Sequence, residues 1–189
     1  MNWWLIGAAL VIVLGFALYL TNTAGRLDRL HRKIDTARLS LDAHLLRRSS
    51  VAVELSTSGI LDPATSLVIA DAAHRARTAS DADDLQRGDA ESELTEALDA
   101  ALEDPEDVAE IREQPLGAEL LDELDAAIRR VELSRRFLND AVRACRQVRG
   151  HRAVRWLRLA GRTPWPQTFE MDDTPPAGLG PREAGRRPS

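Results

Sequence analysis

Trp3-Trp4-Leu5-Ile6-Gly7-Ala8-Ala9-Leu10-Val11-Ile12-Val13-Leu14-Gly15-Phe16-Ala17-Leu18-Tyr19-Leu20 is a run of 18 residues without a charge, and the rest of the chain is read outward from it. As a helix rising ~1.5 Å per residue it spans ~27 Å, close to the ~30 Å hydrocarbon core of a bilayer. Trp3, Trp4 and Tyr19 stand at its two ends, where amphipathic rings favour the membrane–water boundary. Residues 1–25 therefore read as one transmembrane anchor. A cleaved signal peptide is the competing reading, but it wants a basic leading region, a shorter apolar core and a small-x-small cleavage site. Gly7 and Gly15 are eight apart, a poor match to a small-xxx-small pairing face.

Orientation comes from the flanks. No Lys or Arg precedes the apolar run, whereas Arg26, Arg29, Arg32 and Lys33 follow it. The positive-inside rule then predicts an N-terminus outside and everything after residue 25 in the cytoplasm of a single-pass cell-membrane protein.

Beyond the anchor the chain is rich in Ala and Leu, aromatics make up only 4%, and β-branched residues rarely alternate with polar ones. Helix throughout is the expectation. The single cysteine, Cys145, excludes an internal disulfide and falls on an apolar stripe, as a buried filler.

Three-and-four spacing of Leu27, Leu30, Ile34, Ala37, Leu41, Leu45, Ala52 and Leu55 predicts one long helix running from the membrane to about Ser58, ended by Gly59. Asp62-Pro63 reads as an N-cap and first helical position. Leu67, Ala70 and Ala73 open a middle leg, which weakens from Ser80 to Gly88, with a bend or break expected near Gly88. Leu94, Ala97, Leu98, Ala101 and Leu102 restore it. Pro105 to Pro115 reads as an acidic connector. Leu121, Leu124, Ile128, Val131, Leu138, Val142 and Cys145 mark a third leg ending at Gly150.

Each leg has one apolar stripe that needs partners, so the fold class is all-α: the transmembrane helix, then an antiparallel up-and-down bundle of three long legs over residues 26–150, counted as four helices if the middle leg breaks. Coiled-coil-like 3-4 packing is expected. Net charge is −5 but strongly segregated, with an acidic block from Asp81 to Asp125 between two arginine-rich ones. Folding three legs back on one another sets Arg29 level with Glu93, Lys33 with Asp89, Arg38 with Asp84, Arg129 with Glu91 and Arg136 with Asp84. Opposite signs on neighbouring legs disfavour wrong registers.

Catalytic motifs do not emerge. His31, His44, His74 and His151 are scattered and form no His-Glu-x-x-His pair, and Asp81-Ala82-Asp83-Asp84 opens like a calcium loop but lacks the later ligands. No cofactor or metal is expected. Asn139 and Asp140, beside Leu138 and Val142, suit a register-fixing polar pair, with a partner or ligand site as the alternative.

Residues 151–170 form a basic C-terminal segment. Arg152, Arg155 and Arg158 group on one side of a helix with Val154, Trp156 and Leu157 interleaved. Three readings stay open: its apolar face caps the bundle, it lies on anionic lipid, or it contacts nucleic acid or another acidic partner. Residues 171–189, rich in Pro and Gly, read as a disordered tail.

The wording of the two outer legs carries a resemblance. Leu27-Asp28-Arg29-Leu30 with Leu41-Asp42-Ala43-His44-Leu45-Leu46-Arg47-Arg48, and Arg135-Arg136-Phe137-Leu138-Asn139-Asp140-Ala141-Val142, resemble the LemA family in order and spacing. Pro164-Trp165-Pro166-Gln167-Thr168-Phe169-Glu170 is similar to that family's closing aromatic-acidic piece. The resemblance implies an N-terminal transmembrane helix, a cytoplasmic antiparallel bundle and an envelope-associated protein without established enzymatic activity. The chain departs from the family in having no proline between Ser49 and Ser58, which predicts a straighter first leg, and in its aliphatic core.

The expected function is a non-enzymatic membrane-anchored scaffold that binds another protein. The rivals are an enzyme with a site built across the legs, around His74 or Asn139, and a membrane-tethered binder of anionic lipid or nucleic acid through the Arg-rich segment.

Overall fold

A computed structural model describes residues 3–150 and 164–179. The protein is all-α: α1 (Trp3–Thr57), α2 (Pro63–Thr78), α3 (Asp84–Ala101), α4 (Pro105–Glu113) and α5 (Pro115–Gly150), with single 3-10 turns at Ala79–Asp81 and Ala177–Leu179. α1 is long and apolar enough to cross a membrane, and none of its most apolar window is buried. The chain divides into two compact units, Met1–Arg38 with Leu138–Thr168 and Leu39–Phe137 with Phe169–Ser189.

In the larger unit the core gathers Val51, Ala52 and Leu55 of α1, Ile69, Ala72, Ala73 and Ala76 of α2, Leu94 and Leu98 of α3, Val108 and Ile111 of α4, and Leu120, Leu121, Leu124 and Ile128 of α5. Every helix turns one stripe inward, as the spacing predicts for all but α4. α1 ends where Gly59 takes φ +76°, a conformation open to glycine. Asp62 caps α2 as expected, its Oδ1 accepting from the amides of Ala64 (2.9 Å) and Thr65 (3.1 Å). A bond from the Thr65 side chain, together with these amides, favours the ionised carboxylate and holds its pKa below the usual 3.8.

The middle leg does break, but before Gly88, and with the connector helix α4 the count among the described residues is five helices rather than four. Asp83 caps α3 through the amides of Leu85 and Gln86, so Ser80 to Asp83, all poor helix formers but Ala82, make the turn. Gly88 lies buried inside α3. The break reverses the chain, which changes the charge register. Arg75 of α2 meets Glu93 of α3 across the hairpin (3.2 Å). α3 then runs parallel to α1: Arg48 meets Glu91 and Asp42 meets Arg87, with separations of 43 and 45 residues that stay nearly constant. Glu91, expected level with Arg129, is therefore taken by Arg48. Arg129 and Arg136 instead pair along α5 with Asp125 and Glu132.

Two further expectations change. The acidic connector is itself helical: Asp104 caps α4, Pro105 supplies its first turn, and Val108 and Ile111 are buried. The disordered tail does not hold for residues 171–179, because Leu179 (4% exposed) enters the core and the Gly178 amide donates to the carbonyl of Leu102 (2.9 Å). Residues 180–189 lie outside the described part.

In the smaller unit Leu27 and Ile34 of α1 and Leu138, Ala141, Val142, Cys145 and Val148 of α5 are buried. Cys145 is the buried filler expected; burial pushes its thiol pKa up.

Candidate functional site

The stripe Leu41, Leu45, Arg48, Ala52, Leu55 keeps three-and-four spacing with one charge inside it. That charge is buried: Arg48 is 1% exposed and Glu91, which shares the stripe of Leu94 and Leu98 on α3, is 2% exposed. Nη2 of Arg48 donates to Oε2 (2.6 Å) and to the backbone carbonyl of Glu91 (2.8 Å), while Nη1 donates to Oγ1 of Thr95 (2.8 Å). Nε of Arg48 is buried without a hydrogen-bond partner. An ion pair this enclosed survives because α3 places three acceptors, Oε2 and the carbonyl of Glu91 and Oγ1 of Thr95, on the Arg48 guanidinium.

Thr95 connects the pair to the C-terminal segment. Its hydroxyl donates to the carbonyl of Asp172 (2.8 Å), and the Asp172 amide donates to Oγ of Ser92 (2.9 Å), one turn earlier on α3. Residues 169–179 thus lie as a strap along α3, without helix or strand until the 3-10 turn at Ala177–Leu179. Phe169 is buried with the Arg87 guanidinium 5.9 Å from its ring centre. A Cβ on Gly88 would collide with the carbonyl oxygen of Glu170, so glycine is what lets the strap descend onto the helix. Asp173 receives a bidentate grip from Arg135 of α5, with both N–O distances 2.7 Å. Asp172 folds back on Thr174, accepting from its hydroxyl (2.7 Å) and amide (2.9 Å), which holds the pKa of its carboxyl below the usual 3.8. Between strap and α3 a cavity of about 580 Å³ is left, edged by Asp89, Glu93, Glu96 and Asp99.

In the smaller unit the same device recurs. Arg146 donates to the carbonyl of Pro166 (2.8 Å) and Arg149 to that of Pro164 (2.6 Å), with Arg149 5.1 Å from the Trp165 ring centre. Residues 164–170 are extended, and these arginines grip backbone rather than form an open basic face.

The residues singled out by sequence fare unequally. Asn139 is buried (6% exposed), whereas Asp140 is exposed and pairs with Arg143 one turn on. Arg152, Arg155, Trp156 and Arg158 lie outside the described residues. Arg48, Glu91, Thr95, Gly88 and Arg135 were missed. A charge on an apolar stripe was the available signal for Arg48 and Glu91; nothing local marks the others.

Among the described residues no group of three or more His, Cys, Asp or Glu is placed to hold a metal. Comparison with protein-family models, curated proteins and solved structures finds no match. Fold and site define a class: a helical-bundle protein with an N-terminal helix able to span a membrane, and with its C-terminal segment strapped across the bundle by arginines, hydroxyls and glycine.

Proposed function

We propose that the chain is a single-pass membrane protein of the LemA type, a non-enzymatic scaffold that holds a helical bundle at the cytoplasmic face of the cell membrane for another protein to bind. One observation carries this reading: the apolar window of α1 is unburied, yet the same helix runs without a break into the bundle core. Leaving Leu10, Ile12, Val13 and Leu18 64% or more exposed in water is unfavourable at ~25 cal/mol per Å² of apolar surface, and a bilayer removes that cost. Arg26, Arg29, Arg32 and Lys33 support an inside bundle. In this reading Arg152, Arg155 and Arg158 add contact with anionic lipid or with the partner.

The test is impermeant thiol labelling of intact cells. Cys145 is buried and its thiol pKa raised, so the native chain has low background. A cysteine replacing Asn2 is labelled and one replacing Ser189 is not; labelling of Ser189→Cys alone overturns the orientation, and labelling of neither or both alike removes the anchor.

A further inference from the structure

We propose that the face of α3 and α5 beneath residues 169–179 is a docking groove for an extended segment of a partner protein that carries an aromatic residue and, four positions later, a carboxylate, and that 169–179 is the resident occupant which this partner displaces. The inference rests on the reading of the chain as an interaction protein, but not on its anchor.

The groove is built to read a peptide rather than to bury one. Its contacts with the strap are specific in type: Ser92 and Thr95 take the amide and carbonyl of one strap residue, Asp172. Arg135 takes a carboxylate with both arms of its fork, and Arg87 faces an aromatic ring. Gly88 opens the helix surface to backbone. These are the means by which proteins recognise extended peptides, main-chain bonds holding the chain while pockets select side chains.

The strap is also held lightly enough to leave. Phe169, Pro176 and Leu179 are buried, but Glu170, Asp172, Thr174 and Pro175 between them are exposed. Segments with few buried apolar contacts open at low free-energy cost compared with the core. The unfilled cavity beside Thr174 leaves room for larger side chains than the strap supplies. A partner that keeps the aromatic and the carboxylate and fills this space replaces the strap contact for contact.

The probe is a fluorescent peptide with the sequence of residues 168–180, measured by polarisation against the full chain in detergent. Phe169→Ala with Asp173→Ala empties the groove without touching its walls. Peptide binding to this variant is about tenfold or more tighter than to the parent, and Arg135→Gln added to it removes about that factor, the scale of one bidentate charged contact. Absence of binding to a variant that keeps its helical circular dichroism overturns the proposal, as does binding indifferent to Arg135→Gln. If the variant loses its helices, the parent decides: excess peptide accelerates hydrogen exchange at the Asp172 and Gly178 amides, and unchanged exchange is the contrary result. A dimer that the peptide does not dissociate also counts against it, assigning the groove to the strap of a second copy. None of these outcomes alters the thiol-labelling pattern, so the two readings fail separately.

Discussion

Arg48 on α1 and Glu91 on α3 form an ion pair with 2.6 Å between Nη2 and Oε2, and neither side chain is more than 3% exposed. The pair sits between two helices that run the same way, so it pins their mutual register, and through Thr95 it touches the strap as well.

Breaking this pair is costly because the surviving charge stays buried. Arg48→Ala or Glu91→Ala lowers unfolding stability by ~3–5 kcal/mol in urea titration, whereas the joint change Arg48→Met with Glu91→Leu restores most of it. A joint variant no better than the singles shows that the hydrogen bonds to Thr95 and the Glu91 carbonyl outweigh the ion pair.

Two glycines separate space from propensity. Gly88→Ala drives a methyl into the Glu170 carbonyl and frees the strap, costing ~1–3 kcal/mol and quickening proteolysis between residues 170 and 175. Gly25→Ala meets nothing within 4 Å on the same kind of helix and is neutral to slightly stabilising, by at most ~1 kcal/mol. Equal melting temperatures for the two variants argue against the close approach.

The core follows its stripe. Leu124 and Val131 are 0% and 1% exposed. Leu124→Ala costs ~2–4 kcal/mol through the cavity it leaves. Val131→Ala falls in the same direction but by less, in keeping with its smaller side chain, and equilibrium unfolding ranks the two.

Acid loosens the strap. The Asp172 carboxyl, bonded by Thr174, has its pKa depressed below 3.8, so its contribution is fully present above that value and is lost as pH falls through the lower folded value. Hydrogen exchange at the Thr174 amide, normalised for intrinsic rates, is flat from pH 7 to about 4 and then rises. Asp172→Asn removes the rise. A rise centred near pH 6 points to some other group.

Most of the architecture was legible along the chain because it depends on local period and capping. The end of α1 at Gly59, the Asp62-Pro63 start of α2 and the inward faces of every helix but α4 follow from rules that act within a turn or two. The break in the middle leg falls before Asp83, which caps the start of α3, and Gly88 lies inside that helix, where the backbone of Glu170, far along the chain, takes the space of a missing side chain. The grips of Arg135, Arg146 and Arg149 were not legible for a related reason: each is a charge on a helix until the segment that it grips is known.

By itself, the amino-acid sequence determined the apolar N-terminal helix, the all-α class and the stripe that each helix buries, since periodicity and the hydrophobic effect act on residues one to four apart. Only the tertiary structure decided the parallel run of α1 with α3, the Arg48–Glu91 pair and the groove beneath the strap. Those depend on where chain reversals fall, and the reversal between α2 and α3 changes which charges meet.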